Sequence, residues 1–249
     1  MAIARNLRER VRTEMMREIK AAASRQLVDR GAAALSLRAV ARELGLVSSA
    51  LYRYFKSRDE LLTALIVDAY DSLGQAAEDA EAGIDRMDLF ARWSAISHAV
   101  RSWALAHPHE YALIYGSPVP GYHAPEATIG PASRVTLLLA RLLQDAVADN
   151  KLHPPELAPP DARASAAVVL LAQSALVGVP EPIILRGLMA WLEIFGTVSF
   201  ELFGQLHNVV TDYEAFFDHV VLSVGSMIGL PQPMPAGVHR TRRVVRTAH

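Results

Sequence analysis

The residues best placed to do chemistry lie close together in Ser48-Ser49-Ala50-Leu51-Tyr52-Arg53. Small and polar side chains on one short helix let it enter the DNA major groove, where base edges are distinguishable. Ser48, Ser49, Ala50 and Arg53 form the outward set. Catalysis has weaker claims. His98, His107, His109 and Glu110 invite a metal, but a zinc-binding helix needs two histidines four residues apart with a glutamate between them. His107 and His109 are two apart and straddle Pro108. The chain has no cysteine, so thiolate sites and disulfides are excluded. No nucleophile elbow, phosphate loop or dinucleotide fingerprint occurs. No enzyme activity, metal or cofactor is expected.

A helix-turn-helix would position that outward set. Leu7, Val11, Met15, Ile19, Ala23 and Leu27 recur every four residues, which predicts a long first helix stopped by Gly31. Ser36 can cap a second helix, Leu37 to Leu44. Ala41 is small where two helices would cross, and Gly45 suits a tight turn. Val40, Leu44, Leu46 and Leu51 would fill the space beneath. A third helix is predicted from about Ser48 to Tyr54. Ser57 and Glu60 make a capping box for a fourth, which continues to about Glu81. Beyond Gly83, segments 86–106, 133–150, 161–178, 182–206 and 212–229 read as helices, broken by HisPro, SerProValPro, HisProPro and ValProGluPro sequences. No alternating stretch predicts a sheet. The expected fold is all-α: an N-terminal three-helix helix-turn-helix domain (1–56), a connecting helix (57–82), a C-terminal helical bundle (83–230) and a disordered basic tail (231–249).

Charge divides the same way. Residues 1–60 hold 13 Lys+Arg against 7 Asp+Glu, whereas residues 61–239 hold 8 against 19. A basic head on an acidic body fits a DNA-binding module joined to another function. The start is too charged for a signal peptide. No apolar run is read as reaching the ~18 residues of a spanning helix, so a cytoplasmic protein without a membrane partner is expected.

Residues 35–62, LeuSerLeuArgAlaValAlaArgGluLeuGlyLeuValSerSerAlaLeuTyrArgTyrPheLysSerArgAspGluLeuLeu, resemble the signature of TetR-family regulators. Val40-Ala41, Gly45, Leu51-Tyr52, Tyr54-Phe55 and Lys56 carry the likeness, with Ile19, Ala22-Ala23 and Gly31 before it. The resemblance implies a DNA-binding transcriptional regulator, in the usual case a repressor released from double-stranded operator DNA by a small-molecule effector. It implies that Ser36, the Tyr52 hydroxyl and Lys56, the last with the fourth helix's N-terminus, hold phosphates. It places Arg38 in the DNA-binding set, and Arg5 and Arg8 near the DNA backbone or minor groove. The family often has Ser or Thr where this chain has Val47. Ser48 is then the expected cap, with the helix start shifted by one residue.

Residues 107–122 and 191–204 resemble one TetR C-terminal subgroup. The resemblance implies a homodimer built on the last two helices, with Leu188, Phe195, Leu202, Phe216, Val220 and Met227 at the interface. A ligand pocket is expected between the middle helices. Its candidate lining is Trp93, Ile96, Trp103, Tyr111, Tyr115, Leu138, Leu142, Leu176 and Trp191, with His98 and Gln173 as polar anchors. The alternative reading is a helical ligand-binding or protein-interaction module without DNA binding. Activation in place of repression also stays open.

Overall fold

A computed structural model describes the backbone of residues 2–156 and 159–232, with side chains from residue 9 onward. The predicted disordered tail lies almost wholly outside the described residues. Helix α1 (Ala2–Arg30) contains neither Pro nor Gly and is rich in strong helix formers. Ile19, Ala22, Ala23 and Leu27 are buried, but Val11, on the same predicted stripe, is 57% exposed. Residues 9–14 are all exposed, so α1 reaches past the core it helps to build. Helices α2 (Leu37–Glu43), α3 (Ser48–Leu51) and the start of α4 (Arg58–Glu81) close that core. Val40, Ala41, Leu51, Phe55, Leu61 and Leu62 are its buried centre.

Helix α4 belongs to two cores. Leu61, Leu62, Leu65 and Ile66 pack into the N-terminal cluster. Ala69, Leu73 and Ala77 pack into a larger C-terminal one. Its predicted capping holds. Ser57 Oγ accepts from the Glu60 N–H at 3.1 Å, and the Glu60 carboxylate accepts from the Lys56 N–H at 2.6 Å.

The second region comprises α5 (Leu89–Ala106), α6 (Pro108–Tyr115), α7 (Ile129–Ala148), α8 (Ala162–Ala167), α9 (Val169–Gln173), α10 (Glu181–Leu202) and α11 (Tyr213–Ile228), all but α8 contributing to its core. No strand occurs among the described residues. Helices α5 and α7 grip α4, while α10 and α11 pair with each other and rest on α5. Two corrections to the sequence reading follow. The HisPro break opens a helix, α6, because Pro108 stands in the first turn where no N–H is needed. The predicted helix 161–178 is two short ones, divided where Val168 leaves helical geometry (φ −108°, ψ 8°) and is buried.

A further correction concerns α10. An 18-residue window of this helix has a mean hydropathy of 1.5, long and apolar enough by composition to cross a membrane, yet only 33% of it is buried. One face lies against α5, α7, α9 and α11, which a lone spanning helix would not require. Its other face remains apolar and uncovered.

Polar clasps fix the helices around α4. Arg134 of α7 donates to the Asp71 carbonyl at 2.8 Å and to both carboxylate oxygens of Glu78 at 2.9 and 2.6 Å. Its side chain crosses Gly74 so closely that a Cβ there would lie 2.7 Å from Arg134 Cβ. Arg101 of α5 pairs with both oxygens of Glu201 at 2.7 Å. Arg92, 5% exposed, donates to Glu81 at 2.6 Å, Asp145 at 2.8 Å and the Arg86 carbonyl at 3.0 Å. Burial pushes the Asp145 carboxyl pKa up, but hydrogen bonds from Arg86 and Arg92 outweigh it and hold the group below its ordinary value. Such a group stabilises the fold above its unfolded pKa of about 3.9, and the contribution is lost as pH falls. Arg92→Ala strips Glu81 of its partner and leaves Asp145 to Arg86 alone, and is expected to cost about 1–3 kcal/mol in urea unfolding at pH 7. The part carried by Asp145 should shrink as pH falls below its unfolded pKa of about 3.9.

Candidate nucleic-acid interface

Helices α2 and α3 meet across Gly45, whose φ is 67°. A residue with a Cβ pays roughly 1–2 kcal/mol for that left-handed conformation. The Leu46 N–H closes the turn on the Ala41 carbonyl at 2.8 Å. Helix α3 begins at Ser48 with Val47 as its N-cap and no side-chain cap bond. The expected shift to a Ser48 cap does not occur, because Val47 already has the extended backbone of a cap (φ −69°, ψ 139°). The helix ends at Leu51 and not at Tyr54. The N–H groups of Arg53 and Tyr54 bond three residues back, to Ala50 at 3.2 Å and Leu51 at 2.9 Å. That tighter winding accompanies the burial of both Leu51 and Phe55.

The predicted reading residues gather on this side of the molecule. Ser49, Tyr52, Arg53, Lys56 and Arg38 are exposed, and Ser36, Ser48 and Ala50 are half-buried. Ser36 stands at the N-cap of α2 with no side-chain cap bond. Its N–H donates to Gln26 Oε1 at 3.4 Å. Lys56 keeps only its side chain for a ligand, since its N–H is taken by Glu60. Arg5 and Arg8 lie outside the residues whose side chains are described. One contributor escaped the sequence reading. Arg12 Nη1 donates to the Arg53 carbonyl at 3.4 Å, and its guanidinium stands 5.5 Å from the centre of the Tyr54 ring. Periodicity put Arg12 on a solvated face, and only the fold brings it to α3. Arg25 pairs with Glu43 at 2.7 Å and Lys20 with Asp68 at 2.5 Å, tying α1 to α2 and α4.

The C-terminal candidates separate into different places. Trp93, Ile96, Tyr111, Leu138 and Leu142 are core, each at most 5% exposed. Trp93 Nε1 donates to the Val221 carbonyl at 2.8 Å. The Tyr111 hydroxyl bonds the Phe195 carbonyl at 3.0 Å and Ser199 Oγ at 2.9 Å. Tyr115 packs edge-on or tilted against Tyr70, Tyr111 and Phe195, where burial pushes its phenol pKa far up. His98 bonds Asp218 at 2.8 Å, and Gln173 is exposed. These two do not meet as polar anchors of one pocket. Leu176 and Trp191 instead line a cavity of about 310 Å³ between α7, α9 and α10. Trp103 borders a different cleft of about 310 Å³, between α1, α4, α5 and α6.

The apolar face of α10 is also turned from expectation. Phe195 is buried, Leu188 and Leu202 are half-buried against the core, and Val220 of α11 is 8% exposed. The uncovered stripe is Met189 (53%), Leu192 (60%), Phe200 (55%) and Phe203 (42%), continued on α11 by Phe216 and Leu222. The sequence carried this second stripe at helical spacing, but the larger aromatic stripe masked it.

Comparison with known proteins bears on this geometry. Residues 19–65 match the family described as bacterial regulatory proteins, tetR family. Residues 93–224 match the tetracyclin repressor-like C-terminal domain. An HTH-type transcriptional regulator of Mycobacterium tuberculosis is 41% identical over 201 residues, 78% of this chain and 83% of the relative. Its counterpart in Mycobacterium bovis shows the same identity and coverage. Among solved structures, a regulatory protein, SCO4313, is 34% identical with a TM-score of 0.72, covering 87% of this chain and 97% of that one. A Rhodococcus protein of unknown function is 26% identical with a TM-score of 0.62, covering 87% and 95%.

The interface sorts its own side chains by role. Ser57→Ala removes a cap bond and is expected to cost about 1 kcal/mol of stability. Ser36→Ala, Tyr52→Phe and Lys56→Ala remove groups without described partners in the fold and should stay within about 0.5 kcal/mol of the parent. Thermal and chemical unfolding of the four variants checks this division.

Proposed function

This chain belongs to the TetR family of bacterial regulatory proteins and is a DNA-binding transcriptional regulator, and from that premise we propose a dimeric repressor released from its operator by a small molecule. One observation carries the reading: α3 stands outward with exposed Ser49, Tyr52 and Arg53, beside a basic rim that the fold leaves in solvent. Arg53, Ser48, Ser49 and Ala50 face base edges. Ser36, Arg38, the Tyr52 hydroxyl and the Lys56 ammonium hold backbone phosphates. Dipole capture of phosphate at the start of α4 is weakened, because the Ser57 and Glu60 side chains already cap that end. Phosphate affinity there comes from the Lys56 charge.

The stripe from Met189 to Phe203, with Phe216 and Leu222, is the surface for a second copy. Three large apolar groups on one helix, with Phe203 just after it, would otherwise form an exposed patch of a kind that single-chain proteins rarely keep. A palindromic site requires a two-fold axis through this face that sets both α3 helices on one side of the dimer. Release then runs through α4. Arg134 bolts α7 to Asp71 and Glu78 of α4, and α4 carries the reading head on its first turns. A ligand that displaces α7 moves α4, and linkage requires that it bind the displaced state more tightly by the factor that DNA affinity falls.

Two outcomes test the reading. The protein should bind a palindromic duplex as a dimer, with half-sites about one helical turn or a multiple apart. Leu192→Glu with Phe200→Glu should give a folded monomer by light scattering and abolish that binding, and a variant that still binds as a dimer rejects this interface. Lys56→Ala should weaken binding to every duplex and lower the salt slope by roughly one ion. Arg53→Ala should relax preference at particular bases by about 1–3 kcal/mol. Affinities on specific and random duplexes over a salt series separate the two effects.

A further inference from the structure

Helix α1 is longer than its packing requires. Met15 and Met16 are its first described residues to touch the N-terminal core, and residues 9–14 before them are all exposed. Burial of apolar surface does not account for that extension. What the extension does touch is the end of α3. Arg12 Nη1 donates to the Arg53 carbonyl at 3.4 Å, and its guanidinium stands 5.5 Å from the centre of the Tyr54 ring. Three other cations of α1 are engaged elsewhere, Arg17 with Glu14, Lys20 with Asp68 and Arg25 with Glu43.

The end of α3 has a physical need for a partner. A helix leaves its last carbonyls without intrahelical donors, and α3 has only four helical residues. Its exit is wound through three-residue bonds, from the Arg53 N–H to Ala50 and from the Tyr54 N–H to Leu51, which have poorer geometry than those of an α-helix. Leu51 and Phe55 hold one side of this turn in the core. The other side, with Tyr52 and Arg53, is exposed. An arginine fork brings positive charge and N–H donors to the carbonyl end of a helix, where both are favourable.

Orientation matters more than energy in this contact. One exposed hydrogen bond and one exposed cation–π contact add little to stability. The Arg53 side chain, however, leaves from the Cα next to the held carbonyl, so fixing one restricts the direction of the other. Bidentate recognition of a base edge demands that direction. Ile19, Ala22 and Ala23 are 0% exposed, which makes α1 a fixed post from which Arg12 reaches.

We infer that Arg12 is a positioning residue for DNA recognition: it braces the end of α3 through the Arg53 carbonyl and the Tyr54 ring, and so aims the Arg53 side chain at its base. The inference rests on the reading of Arg53 as a base-contacting residue. Direct phosphate contact by Arg12 is the competing role, and it leaves a different trace. Removing a phosphate-binding cation weakens binding to every duplex and lowers the salt slope by roughly one ion. Removing a brace for a base contact lowers preference alone.

The test compares the full-length parent, Arg12→Ala, Arg53→Ala and the double variant on a selected palindromic duplex, its single-base variants and a random duplex, over a salt series. Arg12→Ala should cut the ratio of specific to random affinity by about fivefold per half-site, the low end of what one bidentate base contact supplies. The loss should fall at the same base pairs as that of Arg53→Ala, with the salt slope unchanged. In the Arg53→Ala background, Arg12→Ala should add no further loss. In the free protein, backbone order parameters of Arg53 and Tyr54 should fall in Arg12→Ala while those of α4 stay as in the parent. A lowered salt slope with equal loss on every duplex, a loss at other base pairs, an additive double variant or unchanged order at Arg53 and Tyr54 overturns the inference. Arg53→Ala separates the two levels. Full preference in that variant rejects base reading by Arg53 and the brace with it, whereas a loss there with none in Arg12→Ala rejects the brace alone.

Discussion

Everything in this molecule depends on one helix having to satisfy two hydrophobic cores. The 24 residues of α4 extend about 36 Å at 1.5 Å per residue. Leu61, Leu62, Leu65 and Ile66 are sealed into the reading head, and Ala69, Leu73 and Ala77 into the bundle. Burying a large aliphatic side chain is worth about 1.5–3 kcal/mol, so neither end can let go without losing a substantial part of the fold's stability. A helix held firmly at both ends does not absorb a displacement along its length. It passes the displacement on, as rotation or tilt of whatever is attached to its first turn.

Polar contacts couple α4 to the helices around it. Arg134 reaches three side chains and one carbonyl of α4 across Gly74, so α7 and α4 move together. Arg92 joins the end of α4 to α7 through Glu81 and Asp145. The reading head is tied to α4 by Lys20 to Asp68 and by Arg58 to the Ala32 carbonyl. The Arg12 guanidinium then links α1 to the end of α3. In the proposed dimer, a head fixed to this lever would turn a small shift in the bundle into a change in how far apart two copies of α3 stand.

Local signals made the N-terminal half legible. Gly45 needs a positive φ, Ser57 and Glu60 cap α4 from three residues apart, and Ala41 is small at a crossing. Each is a short-range requirement that a sequence displays directly. The C-terminal half was legible as helices but not as surfaces. The helix α10 carries two apolar stripes, and periodicity alone cannot say which faces the core. The larger aromatic stripe, with Trp191 and Phe195, proved to be the inner one. Trp93, Tyr111 and Leu142 looked like pocket lining because core and cavity walls use the same residue types. Trp191 differs in that its buried N–H has no partner among the described residues, a property of three-dimensional arrangement that spacing does not encode. Helix α3 ended early for a similar reason, since the burial of Phe55 set its winding.

The central claim is that the state of the bundle sets the separation of the two reading helices. The chain has no cysteine, so Asp29→Cys, an exposed position of α1 outside the groove-facing set, places one spin label on each reading head without background. Pulsed electron–electron distance measurement on the dimer should give a narrow distribution on a selected palindromic duplex, consistent with α3 helices about 34–36 Å or a multiple apart. Off DNA, adding a molecule that occupies the bundle cavity should move the distribution to a different separation. A distance on DNA incompatible with successive major grooves, or a separation that is unchanged when the cavity is filled, contradicts the account.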